Sequence, residues 1–365
     1  MHKNALRPFS CSYSAQVPEL LKQLGCTLAL STYQAGKVVF ISAKNEDSLV
    51  QLPRTFDKPM GIAIDSEKGK LALACKSEIV VFKNSKELAW HYPKFPNTYD
   101  SLYLPRVSYK TSYLDLHDLS FGKDGMYAVN TLFSCISTID EDYNFTPFWK
   151  PKFISALVSE DRCHLNGMAM ENGKPKYVSC FNQGNEMQSW RTNLTSEGVI
   201  LDVDSNEVIA HELSMPHTPK LINGDLYILQ SAKGELTKID RQTGKKETVV
   251  KLNSFVRGMD ICGEYLFIGL SKLRTNSKTF SKIAGNFSKN EAGIAIVHLP
   301  TDIVHIKKRN ITEQFNYQSY VEDIYDIKVL QNTKRPNILN PQSEESNMAV
   351  STPSSTFWAL KNEKL

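Results

Sequence analysis

The sequence predicts an all-β chain folded as a single six-bladed β-propeller closed by strands from both termini. Two observations predict this. A short phrase recurs six times, and strands near the N-terminus match those that follow the phrase elsewhere. The phrase is a polar or special residue leading into a short apolar strand. It reads Met60-Gly61-Ile62-Ala63-Ile64, His117-Asp118-Leu119-Ser120-Phe121, Asn166-Gly167-Met168-Ala169-Met170, His217-Thr218-Pro219-Lys220-Leu221, Arg257-Gly258-Met259-Asp260-Ile261 and Tyr325-Asp326-Ile327-Lys328-Val329. The copies start about 40 to 70 residues apart, which brackets a four-stranded blade with variable loops.

A second β-prone run follows each of the first five phrases: Leu71 to Cys75, Met126 to Thr131, Lys176 to Phe181, Leu226 to Ser231 and Tyr265 to Leu270. Third runs follow at Ser134 to Asp140 and Glu235 to Asp240. The sixth phrase has no such partner after it, because the chain beyond Leu330 turns polar. Its partners lie at the other end, where Leu28 to Thr32, Gln34 to Lys37 and Val38 to Ile41 mimic Leu226 to Ser231 and the turn and strand after it. Sharing one blade between the termini closes the ring and leaves no unpaired edge. The expected organisation is therefore an arm over residues 1–20, the propeller over 21–330 and a partly disordered tail over 331–365, with Phe357, Trp358 and Leu360 as a short anchor. The one helix expected runs from Pro18 to Leu24.

Composition narrows the function classes. Hydrophobic residues make up 41% and charged residues 22% of 365, as in ordinary globular domains. A net charge of +4, with basic residues scattered apart from runs such as Lys307-Lys308-Arg309, argues against a nucleic-acid partner. No apolar run reaches membrane-spanning length, and Lys3 and Arg7 precede no signal-like stretch, so neither membrane nor secretion is expected. Seven cysteines without metal-finger spacing, mostly in apolar strand contexts, fit a reducing cytoplasm.

The innermost strand of each blade lines the central channel, so the residues opening the six phrases should ring one mouth. They are Met60, His117, Asn166, His217, Arg257 and Tyr325. Five of the six can hydrogen-bond, whereas a purely structural ring would favour small residues. Asp118 and Asp326 follow within their phrases, and Asp161-Arg162-Cys163-His164 precedes the third. Strand ends add Asn130, Gln230, Ser231, Ser271 and Lys272. His117, His164 and His217, with Arg257, are the candidate catalytic residues. Asp118, Asn130, Arg162, Asn166, Gln230, Lys272, Tyr325 and Asp326 are the candidate ligand-binding residues. The same three histidines are candidate ligands for a divalent metal ion, the one cofactor this set suggests, although no HxH or HExxH spacing supports it. Arg257 suggests an anion instead, or a partner in Asp118 or Asp326 across the channel. Gly167 and Gly258 are read as points of close backbone approach, and Cys163 as pointing away from His164. GxSxG, GxxxxGK[ST] and GxGxxG motifs are absent.

Ser31-Thr32-Tyr33-Gln34-Ala35-Gly36-Lys37, Arg162-Cys163-His164-Leu165-Asn166-Gly167, Met215-Pro216-His217-Thr218-Pro219 and Gly269-Leu270-Ser271-Lys272 resemble a bacterial family of conserved hypothetical proteins with a domain of unknown function. The resemblance runs from about Leu21 to Leu330 and takes in Leu104-Pro105-Arg106, His117-Asp118 and Asn130-Thr131, with Thr218 and Lys220 where Ser and Arg are usual. It implies a propeller-like fold and no reaction.

The leading expectation is a channel-mouth site that binds or transforms a small polar molecule, anionic or sugar-like, with or without a metal. The alternative is a protein-interaction scaffold whose channel histidines are structural and whose anchors are Tyr92, Tyr99, Tyr103 and Tyr113. A third reading, carbohydrate or nucleotide-sugar recognition without catalysis, would place Trp149 or Trp190 over the mouth.

Overall fold

The computed structural model describes residues 7–252, 254–273, 280, 283, 287, 291–299 and 311–359. Lys3, the Lys307-Lys308-Arg309 run and Leu360 lie outside the described residues.

Six antiparallel blades form, and each of the six phrases supplies an innermost strand. Blade 1 opens with Ile62–Asp65, blade 2 with Leu116–Gly122 and blade 3 with Leu165–Glu171. Blade 4 opens with Pro216–Ile222, blade 5 with Phe255–Cys262 and blade 6 with Asp326–Gln331. Local turn chemistry sets the hairpins. Asn172-Gly173 and Asn223-Gly224, all four at positive φ, join the first two strands of blades 3 and 4 as the mirror-image turns that match strand twist. The expected helix forms at Val17–Gln23. Among the described residues no helix is long and apolar enough to cross a membrane.

Blade 6 is made by both ends of the chain. Asp326–Gln331 pairs antiparallel with Cys26–Thr32, from Cys26 opposite Gln331 to Ser31 opposite Asp326, and Lys37–Ala43 and Leu49–Thr55 complete it. Two stretches outside the expected 21–330 limits also join blades. Cys11–Tyr13 adds an outer strand to blade 5 beside Ile311–Tyr317, and Pro336–Ile338 runs parallel to Ser101–Tyr103 on blade 1. Both cover edges that would otherwise template foreign strands. Residues 336–338, read from composition as part of a mobile tail, are buried.

Apolar side chains fill the spaces between blades. Leu229, Leu236, Val256, Met259, Ile268 and Leu270 pack blade 4 on blade 5, for instance, all nearly inaccessible. A polar latch repeats beside this packing. The hydroxyl at the end of a blade's second strand donates to a carbonyl at the entry of the next inner strand: Ser31 to Met60 O (2.5 Å), Thr131 to Leu165 O (2.6 Å), Ser231 to Val256 O (2.6 Å) and Ser271 to Ile324 O (3.1 Å). Glycines let the inner strands converge. A Cβ on Gly167 would lie 2.9 Å from Pro219, and one on Gly258 2.8 Å from the Asp326 Cα.

Candidate functional site

A cavity of about 260 Å³ opens at one mouth of the channel, small for a ligand site. Its wall includes His117, His164, His217, Arg257, Lys272 and Tyr325, so six of the sequence candidates meet there. Below it the channel narrows to a neck of about 20 Å³, room for about one water molecule, lined by Asp118, Asn166 and Asp326 together with His117, His217, Arg257 and Tyr325.

Two histidines are held by the same local device. Asp115 and Met215 adopt left-handed backbone (φ 55° and 49°), which turns the carbonyl of each towards the imidazole two residues on. His117 Nδ1 lies 3.0 Å from Asp115 O, and His217 Nδ1 lies 2.9 Å from Met215 O. Ser231 Oγ, whose proton goes to Val256 O, is a second acceptor 2.7 Å from His217 Nδ1. A carbonyl only accepts, so each Nδ1 carries hydrogen and each Nε2, on the far edge of the ring, is left as an acceptor. Burial holds the His117 pKa down to about 4 and that of His217 well below the usual value, with the Arg257 charge adding to both. Both rings are neutral at pH 7.

His164, itself left-handed at φ 49°, is gripped differently. The Asp161 carboxylate sits 3.0 and 3.1 Å from its Nδ1 and also accepts from Trp190 Nε1 at 2.9 Å. The His164 ring meets His117 edge-on at 4.8 Å and lies 4.2 Å from Trp190.

Arg257 lays its guanidinium 3.6 Å from the centroid of the Tyr325 ring. The expected pairing with Asp118 or Asp326 does not form. Asp326 is paired with Lys328 at 3.0 Å, and Asp118 accepts from Leu119 N and Met168 N. Among the described residues no carboxylate lies within ion-pair distance of Arg257. Two buried side-chain polar atoms lining the neck, Asn166 Nδ2 and Tyr325 Oη, have no hydrogen-bond partner among the described residues.

Several candidates are placed elsewhere. Arg162 joins Glu160, Ser155 and Asn185 in a loop network outside the cavity. Asn130 accepts from Phe133 N within its own turn, and Gln230 bridges Ser214 N and Thr237 Oγ1. Met60 is buried in the core. Asp118 and Asp326 act as staples, taking Met168 N and Ile62 N of the next inner strand, and Asp260 takes Val329 N in the same way. Burial pushes the Asp118 carboxyl up to about 6. Ser231 and Ser271 are latches, and Ser271 also lines the cavity. Cys163 faces the core beside Cys180 while its neighbour His164 faces the cavity.

The metal expectation finds no fit. Among the described residues no three His, Cys, Asp or Glu side chains stand close enough together to hold an ion. Arg257 also places a positive charge beside His117 and His217. The anchors named for a scaffold mostly fail too, since Tyr92, Tyr99 and Tyr103 are buried and only Tyr113 is exposed. Trp190 lines the mouth; Trp149 packs on the core of blades 2 and 3.

Sequence reasoning missed an aromatic arc on the cavity wall. Trp190, Phe181, His217 and Phe255 follow one another across blades 3 to 5, with Phe181–His217 at 5.2 Å and His217–Phe255 at 5.9 Å. A signal was present: Phe181 occupies the strand-end position that Thr131, Ser231 and Ser271 fill as latches.

A six-bladed propeller with a cavity of charged and aromatic side chains at one mouth of its channel is the class of protein that this fold and site define. The chain belongs to the DUF4915 family, a domain of unknown function, whose family model matches residues 15–339. A chain in the crystal structure of a nidogen/laminin complex is similar in fold, with TM-score 0.53 and 10% identity over 84% of this chain and 99% of that one. A protein of unknown function from Bacteroides caccae is similar with TM-score 0.50 and 9% identity over 84% of this chain and 98% of its own. At such identities the likeness shows the fold alone. No curated protein matches this chain.

Proposed function

We propose that the channel-mouth cavity binds a small anionic molecule. The reading rests on Arg257, a half-buried guanidinium stacked on Tyr325 with no carboxylate at ion-pair distance among the described residues. A buried charge is costly until a counter-charge is supplied, and a ligand carboxylate or phosphate supplies it. Lys272 and Arg191, which also line the cavity, reinforce the sign, against Asp115 and Asp323. His164, oriented by Asp161, is the group placed to exchange a proton with the bound molecule. A reducing cytoplasm suits the protein, because all seven cysteines are free and six are buried.

Calorimetric titration with acetate and with inorganic phosphate tests the reading. Saturable binding is expected for at least one of them, weakened at least about tenfold in Arg257→Ala, the loss of one charge-assisted contact. Absence of binding, or binding indifferent to Arg257, would overturn it.

A further inference from the structure

We infer that the ligand is a hydroxy acid with an apolar, ring-sized substituent: a carboxylate for Arg257, a hydroxyl beside it for the histidines, and a hydrophobic body for the aromatic arc. This rests on the anion reading above and adds two requirements to it.

The first comes from the imidazoles. A site meant only for an anion would surround it with donors, yet His117 and His217 face the cavity as acceptors. The left-handed turns at Asp115 and Met215 hold backbone carbonyls on both Nδ1 atoms, so the ring edge left for the ligand is the bare Nε2. An acceptor next to a guanidinium asks for a ligand that carries a donor next to its negative charge. A hydroxyl on the carbon beside a carboxylate meets both demands within one small group.

The second comes from the walls. Tyr33, Tyr325, Lys272, Asp115 and Asp323 line the side of the cavity nearest blades 6 and 2. Across from them Phe181, Trp190, Met215 and Phe255 present hydrocarbon, all buried away from bulk water. Burying a ligand's apolar surface there contributes on the order of 25 cal/mol per Å². A sugar ring is less suited to this wall. The Trp190 indole already carries the His164 ring at 4.2 Å and the Arg191 guanidinium at 4.3 Å, so it has little face left to stack on a pyranose.

Four probes separate the requirements on the wild-type protein: mandelate, phenylacetate (no hydroxyl), lactate (no ring) and inorganic phosphate (charge alone). Mandelate is expected to bind at least tenfold more tightly than phenylacetate and lactate. His117→Phe, which keeps a ring and removes the Nε2 acceptor, should shrink that advantage, read as the ratio of mandelate to phenylacetate affinity. Arg257-dependent binding of phosphate or lactate with no gain for mandelate would overturn the hydroxy-acid inference and leave the anion site standing. No binding by any of the four would overturn both. The ligand comparison needs no variant, so a misfolded mutant cannot obscure it.

Discussion

The Arg257 guanidinium lies 3.6 Å from the Tyr325 ring centroid, a stack that joins the inner strand of blade 5 to the entry of blade 6 and fixes where the cavity's positive charge stands. Tyr325→Leu removes the platform and costs roughly 1–2 kcal/mol of cation–π attraction in this partly desolvated position. Its affinity for small anions should fall about tenfold. Tyr325→Phe keeps the ring and should stay within a few-fold of wild type. Equal losses in the two variants would show that the hydroxyl, not the stack, is the contributing feature.

Arg257 also depresses the two buried histidines, so Arg257→Ala should raise the pKa of His117 from its value near 4. Histidine ring resonances followed by NMR across pH 3.5 to 7.5 give the shift directly. Burial, the larger cause, remains in the variant, so the pKa should stay below the ordinary 6.5. A titration curve unchanged by the substitution would remove Arg257 from the electrostatics of the cavity.

Stability should fall in mild acid, and the sign follows from three buried groups. Between pH 6 and 4, His117 and His217 bind protons in the unfolded chain but not in the folded one, because their folded pKa values are depressed. Asp118 does the opposite, its folded pKa being raised to about 6. Two protons gained on unfolding against one lost leave a net one, about 1.4 kcal/mol of stability lost per pH unit as pH falls through that window. His117→Gln removes one histidine from this balance, so its stability should be nearly flat from pH 6 to 4. Urea midpoints measured at several pH values check the slopes, and parallel slopes for the two proteins would contradict the assignment.

The propeller was legible because its inner strands all begin with the same phrase, and because the strands missing after Tyr325 could be found at Cys26–Ala43. The site was half legible. The histidines, Arg257 and Tyr325 sit at the phrase starts, where sequence phase and channel position coincide. Asn130 and Gln230 end their strands short of the cavity: the latch residues Thr131 and Ser231 face the next blade while the residues before them turn into their own. Arg162 and His164 stand two apart and would share a face in a strand, but the left-handed φ of His164 breaks that alternation. Tyr92 and Tyr99 are rich in exposed character as sequence, yet they lie in one buried cluster with Leu339 and Ala349, so the residues that cover them come from a segment whose polar composition suggested a mobile tail.

The blade-to-blade latches give a stability prediction away from the cavity. Thr131→Val keeps the shape of the side chain and removes its hydroxyl, leaving the Leu165 carbonyl without that donor in a buried seam. The cost should be about 1–3 kcal/mol, read as a lower urea midpoint at unchanged slope. Affinity for small anions should not move, since Thr131 does not line the cavity. A change below about 0.5 kcal/mol would mean that the latch contributes no more than the packing around it.

Gly258 tests whether ring closure and ligand site are one structure. It follows Arg257, has φ 72°, and an added Cβ would stand 2.8 Å from the Asp326 Cα and 2.9 Å from the Ile327 N, both backbone atoms of the strand that closes the ring. Gly25 is the matched control, with φ 60° and no atom within 4 Å of its added Cβ. Gly25→Ala therefore carries only the left-handed penalty, roughly 1 kcal/mol. Gly258→Ala carries the same penalty plus an overlap that side-chain movement cannot relieve, so it should lose about 1–3 kcal/mol more. The relief available is for blade 5 to move away from blade 6, which carries Arg257 off the Tyr325 ring. Anion affinity should thus fall in Gly258→Ala and hold in Gly25→Ala. Equal unfolding midpoints for the two variants would place the strain in the glycine conformation alone and separate the site from the seam.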